Sequence, residues 1–153
     1  MQTLETKIPP PLVAAIVGLA MWGLARATGP LQSDSHLGGA LAAIFAAIGL
    51  SFAIPAFFAF QQAKTTVNPM KPEEATALVE SGVFRYTRNP MYVGLTALLI
   101  GWTCYLESAF ALLGPLLFAL YIDRFQIAPE ERALREKFGE SYASYQKRVR
   151  RWL

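Results

Sequence analysis

The sequence predicts an all-α, polytopic membrane protein with about four transmembrane helices, a cytoplasmic loop and a C-terminal amphipathic helix. Three observations carry this. Charge is scarce, at 16% Asp, Glu, Lys and Arg against 54% hydrophobic residues, where soluble domains are nearer a quarter charged. The charges that exist are clustered, and long stretches between the clusters carry almost none. The basic residues also divide unevenly between the two sides that an even number of crossings creates.

The elements follow in order, within one domain spanning residues 1–153. A first apolar run, 12–28, opens after Pro9, Pro10 and Pro11. Lys7 ahead of it and Ala25-Arg26-Ala27 after it loosely fit a cleavable leader. Three prolines before the run argue instead for a retained span. The second run, 37–60, is long enough to cross about 30 Å of hydrocarbon at about 1.5 Å per residue, and Pro55 is expected to kink it. The third run, 90–106, and the fourth, 109–127, are separated only by Glu107-Ser108, which implies a tight helical hairpin. Gly114-Pro115 lies in the first third of the fourth.

Orientation follows from counting. Four spans put the N-terminus, the 61–89 loop and the 128–153 tail on one side. That side holds thirteen of the fourteen Lys and Arg residues: Lys7, four in the loop and eight from Arg124 onward. Arg26 stands alone on the other. The positive-inside rule places both termini in the cytoplasm, with the protein in an inner or plasma membrane. The net charge of +3 then reflects a basic face beside anionic lipid and calls for no nucleic acid. Cys104, alone in an apolar run, reads as a small buried hydrophobe. His36 reads as a loop residue, and no metal site is expected.

The loop carries turn signals at Asn68-Pro69 and Lys71-Pro72. Pro72-Glu73-Glu74 suits the first turn of a short helix reaching Ser81 and stopped by Gly82. "RYTRNP", residues 85–90, then falls on non-helical backbone, because Pro90 pushes Asn89 away from helical angles and starts the third span. Arginines beside free N–H groups suit a carboxylate or phosphate. Ordinary interfacial anchoring by Arg and Tyr explains the stretch equally well.

In the tail, Leu134, Phe138, Tyr142, Tyr145 and Val149 are spaced by four, four, three and four, which is one helix face. Gly139 weakens the middle and divides the helix in two. Two readings stand: a helix lying on the membrane, or a cap over a cavity into which Glu130 and Glu131 face.

Together, "SGVFRYTRNPMYVG" and, after a short hairpin, "PEERALREKFGESYASYQKRVRRW" resemble the isoprenylcysteine carboxyl methyltransferase and phospholipid methyltransferase superfamily of integral-membrane enzymes. The resemblance covers about residues 62–152. It implies S-adenosylmethionine as cofactor, at Gly82, Phe84, Arg88, Asn89, Pro90, Tyr92, Gly94, Glu130 and Glu131. Many members have His where this chain has Asn89; the phospholipid branch commonly has Asn.

The ligand's chemistry suggests roles. Arg88, or the N–H groups near Asn89, would hold the carboxylate. Glu130 or Glu131 would hold the ammonium or ribose, and Leu78, Val79 and Phe84 would wall the adenine. Tyr92, Glu131 and Arg150 are the candidates for aligning the acceptor, with positioning and desolvation expected to supply most of the catalysis. The acceptor implied is a lipophilic small molecule or lipid, bearing an isoprenylcysteine-like carboxylate or a phospholipid amine and reaching the site from the bilayer. The alternative is a non-enzymatic four-helix assembly or lipid-binding protein. A transporter is disfavoured, since Glu107 sits at the outer turn of the hairpin and no proton or ion path through the spans is visible.

Overall fold

A computed structural model describes residues 5–29, 35–65 and 74–153. Five helices carry the fold among them: α1 (Pro10–Thr28), α2 (Ser35–Gln62), α3 (Pro90–Leu106), α4 (Leu113–Ile122) and α5 (Ala128–Arg148). No strand occurs among the described residues. Pro10, at the head of α1, and Pro90, at the head of α3, sit where a helix has no N–H to lose. Glu107 ends α3 in the left-handed conformation (φ 48°) and donates its N–H to Cys104 O, which makes the expected hairpin turn.

Three helical stretches are long and apolar enough to cross a membrane: Pro10–Thr28, His36–Gln62 and Ala109–Arg148. α3 is a shorter apolar helix beside them. Large apolar side chains such as Leu19, Ile44, Phe58 and Leu116 are exposed, as lipid-facing residues are, since hydrocarbon rather than water surrounds them.

With no hydrophobic drive between helices in lipid, close approach comes from small residues. α2 and α3 meet on such a stripe. A Cβ at Gly94 would fall 2.8 Å from Gly49 O and 3.1 Å from Ala53 Cβ, so only glycine allows that approach. Pro55 sits inside α2, which continues through it from Ser35 to Gln62. A core of Val13, Met21, Tyr92, Leu99, Phe118, Ile122 and Ile127 joins α1, α3 and α4.

Three expectations are revised. His36 is the second residue of α2 rather than a loop residue. The short helix ending at Ser81 does not form over its described part: beyond a single 3₁₀ residue at Glu74, residues 75–81 are non-helical. Tertiary partners outweigh helix propensity there. Thr76 N–H and Ala77 N–H donate to Thr65 Oγ1 at 2.9 and 3.3 Å, and Ala75 and Val79 are buried. Asn68-Pro69 and Lys71-Pro72 lie outside the described residues.

Third, the last span does not stop before the tail. A π turn, Asp123–Ile127, joins α4 to α5 in one rod. Beyond it Glu130, Glu131, Arg132, Arg135, Glu136 and Lys137 follow closely, a charge density that hydrocarbon accommodates poorly. α5 does divide at Gly139, whose φ of 51° and ψ of −123° are non-helical. That break turns its second half back over the bundle, burying Tyr142 and Tyr145. It is a cap, as the second reading of the tail held.

The N-terminal segment, residues 74–89 and α5 gather at one end of the bundle. Glu5 pairs with Arg124 and Arg132, Thr6 N–H donates to Phe125 O, and Arg148 pairs with Glu80.

Candidate active site

The "RYTRN" segment begins with a 3₁₀ turn, Gly82–Arg85, whose Phe84 is buried. Phe84 meets Phe60 of α2 edge to face at 5.1 Å, and its carbonyl accepts a hydrogen bond from Tyr145 OH at 2.7 Å. The chain then turns out of helical geometry into Asn89 (φ −128°, ψ 54°), which caps α3.

The last residues of the chain hold that turn. α5 ends at Arg148 and Val149 is extended (φ −124°, ψ 135°). Arg88 N–H donates to Arg150 O at 2.9 Å. Thr87 Oγ1–H donates to Arg151 O at 3.1 Å, as does Asn89 Nδ2–H at 2.9 Å. Arg88 Nη1 donates to Val149 O at 2.5 Å. Backbone carbonyls of the C-terminus thus fix three consecutive residues ahead of α3.

Charges lock the same junction. Glu131 accepts from Arg88 Nη2 at 2.6 Å and from Arg151 Nη2 at 2.6 Å. Arg151 Nη1 also reaches both oxygens of Asp123, at 3.1 and 3.0 Å, and Trp152 Nε1–H donates to Asp123 Oδ1 at 3.2 Å. The π turn is what presents Asp123; such turns are frequent at functional sites. Burial alone would raise the Glu131 carboxyl, but the hydrogen bonds from Arg151 and Arg88 together outweigh it and hold the group below the usual carboxylate range.

Glu130 is different. Its Oε1 accepts from Tyr92 OH at 2.5 Å. Burial raises its carboxyl most, the Tyr92 hydrogen bond lowers it in part and Glu131's charge raises it again, so it is pushed up to about 8. Two adjacent carboxyls therefore differ in character: both oxygens of Glu131 are held by arginines, whereas buried Glu130 has only the Tyr92 hydroxyl against one oxygen.

Arg88, Asn89, Tyr92, Glu130 and Glu131 line one cavity of about 240 Å³, just under the lower end of small-molecule sites at about 300 Å³. Of the twelve site residues expected from sequence, nine line it: Leu78, Val79, Phe84, Arg88, Asn89, Pro90, Tyr92, Glu130 and Glu131. Three do not. Gly82 lies outside the wall at φ +60°, and Gly94 faces Gly49 of α2. The Arg150 side chain is exposed, and its contribution is its carbonyl.

Sequence reasoning missed Arg151, Asp123 and Thr87 and the wall formed by Pro10, Pro11 and Leu95. No local pattern in the sequence marks them: Arg150 and Arg151 are adjacent and chemically alike, and only the fold leaves the first exposed and the second half-buried.

The chain is a helical bundle with a cavity at one end, charged on one wall and apolar on the other. The chain belongs to the phospholipid methyltransferase family, whose model matches residues 37–141, and so is an integral-membrane methyltransferase of lipid-like substrates. An uncharacterized protein of Haemophilus influenzae is 48% identical over 63 residues, which are 41% of this chain and the whole of that relative. No solved structure matches the chain.

Proposed function

We propose that this protein moves a methyl group from S-adenosylmethionine to a lipophilic acceptor at the cytoplasmic face of an inner or plasma membrane. The observation that carries the reading is the pairing, in one cavity, of Arg88 with an unsaturated Glu130 opposite an apolar wall.

The residues fit the donor. Arg88 Nε is buried and has no hydrogen-bond partner among the described residues, leaving a donor for a carboxylate. Glu130 is the carboxyl free to take an ammonium, since both oxygens of Glu131 are held by arginines. Leu78, Val79 and Phe84 form a surface for a flat ring. When bound, S-adenosylmethionine supplies a methyl group on a cationic sulfur.

The chain's own work is positional. The C-terminal carbonyls and Glu131 fix Arg88, and Tyr92 fixes Glu130. Tyr142 and Tyr145, buried under the second half of α5, keep water from the reacting centre. Leu95 and Met91, on the α3 side, leave the acceptor an apolar approach. Orientation follows the basic residues: the segments that build the cavity are those that the positive-inside rule puts in the cytoplasm.

The test is transfer itself. Purified protein in vesicles of phosphatidylethanolamine and phosphatidylglycerol, with some isoprenylcysteine lipid, is given methyl-labelled S-adenosylmethionine. Label is expected in the organic phase, on an amine or a carboxylate. Folded protein that labels no lipophilic acceptor of either kind would refute the proposal.

A further inference from the structure

A second, open concavity of about 730 Å³ lies along the side of the bundle between α1 and α3. It continues the first. Pro10 and Pro11 line the cavity, and the next turns of the same helix face, Ala14, Gly18 and Trp22, line the groove. On α3, Tyr92 lines the cavity, Leu98 and Trp102 line the groove, and Leu95 lines both. Both helices begin at the cavity and step away in register, three or four residues at a time.

We infer that this groove seats an aliphatic chain of the methyl acceptor, whose polar head lies in the cavity. The inference rests on the proposed methyl transfer to a lipid. Its length argues for it. From Ala14 to Trp22 is eight residues and from Leu95 to Trp102 is seven, or about 11 Å at about 1.5 Å per residue. That fits within the roughly 15 Å of one leaflet, half of a bilayer's hydrocarbon core of about 30 Å. Its chemistry agrees, because the groove holds no charged residue and the cavity that it meets holds Arg88, Glu130 and Glu131.

The walls are fixed before any chain arrives. Trp102 Nε1–H donates to Gly18 O at 3.0 Å, and its ring stacks on Tyr105 at 5.3 Å. Gly18 keeps the floor open. A Cβ there would meet only Leu99 and Trp102 atoms at 3.9–4.0 Å, so a methyl fits while a leucine would fill the channel. Gly23, five residues on and so on a different face of α1, has nothing within 4 Å of its Cβ position and serves as the control.

The experiment needs no turnover. The full chain is placed in phosphatidylcholine vesicles containing phosphatidylethanolamine with a diazirine midway along one acyl chain, irradiated, and its adducts mapped by mass spectrometry. Adducts are expected to concentrate on residues 14–22 and 95–102. Gly18→Leu should lower them about tenfold, and Gly23→Leu should leave them unchanged.

Labelling spread evenly over the groove and the outward leucines of α4, Leu116 and Leu120, would overturn the inference. So would a Gly18→Leu map like that of the wild type. If Gly18→Leu does not fold, the wild-type map decides. Concentrated adducts without methyl transfer would fault the proposed reaction and spare the groove; transfer with even labelling would do the reverse.

Discussion

Glu130 and Glu131 are neighbours with different work, and substitutions separate them. Glu131→Gln leaves Arg88, 11% exposed, with an uncompensated charge. Breaking such a pair costs about 3–5 kcal/mol when fully buried, and the lower end applies because Arg151 is 35% exposed. A fall in unfolding midpoint in detergent checks this. The pH dependences run oppositely. Glu131, held below its ordinary range, contributes stability that is present above about pH 4.5 and lost as pH falls. Glu130, pushed up to about 8, binds its proton in the folded state, so stability falls as pH climbs from about 4.5 to 8. Glu130→Gln should flatten that second slope, measured as midpoint against pH. Asn89 donates Nδ2–H to Arg151 O, which makes the residue a bracket for the end of the tail.

At the scale of elements, the chain end decides the site. Val149, Arg150 and Arg151 offer carbonyls to Thr87, Arg88 and Asn89. Arg150→Ala keeps its carbonyl and loses only an exposed side chain, so stability should stay within about 0.5 kcal/mol. Arg151→Ala removes the tie between Glu131 and Asp123 and should weaken S-adenosylmethionine binding at least about tenfold. Equal effects of the two in a binding titration would discredit the strap. Gly94→Ala forces α2 and α3 apart at the Gly49 contact and should cost about 1–3 kcal/mol.

Much of this level was legible. Proline at a helix start, Glu107-Ser108 as a hairpin and Gly139 as a divider all act through local backbone chemistry, which a sequence displays. The Ala75–Ser81 segment was not legible. Its conformation depends on Thr65, some ten residues away, and no local pattern announces that partner. Nor was the π turn, since one extra residue in a helix leaves no mark on an apolar run.

For the molecule as a whole, the charge pattern carried the architecture. Thirteen of the fourteen basic residues lie in segments assigned to one side, and those segments that are described gather at one end of the bundle. Arg88, Glu130 and Glu131 were legible as a group because each lies where a span leaves the membrane on that side. Arg151 was not, because its partner Asp123 lies 28 residues away in the π turn. Reporter fusions at each terminus in bacterial cells should both report the cytoplasm; two periplasmic signals would reverse the orientation, and one alone would contradict an even number of spans.

The central claim is that the cavity between Arg88, Glu130 and the tyrosines of α5 holds the methyl donor. Isothermal calorimetry of S-adenosylmethionine against the purified full chain tests it most directly, beside Arg88→Ala and Arg150→Ala. One saturable site in the wild type, kept in Arg150→Ala and lost in Arg88→Ala, is the expected result. Folded wild-type protein without saturable heat, or binding indifferent to Arg88, would contradict it.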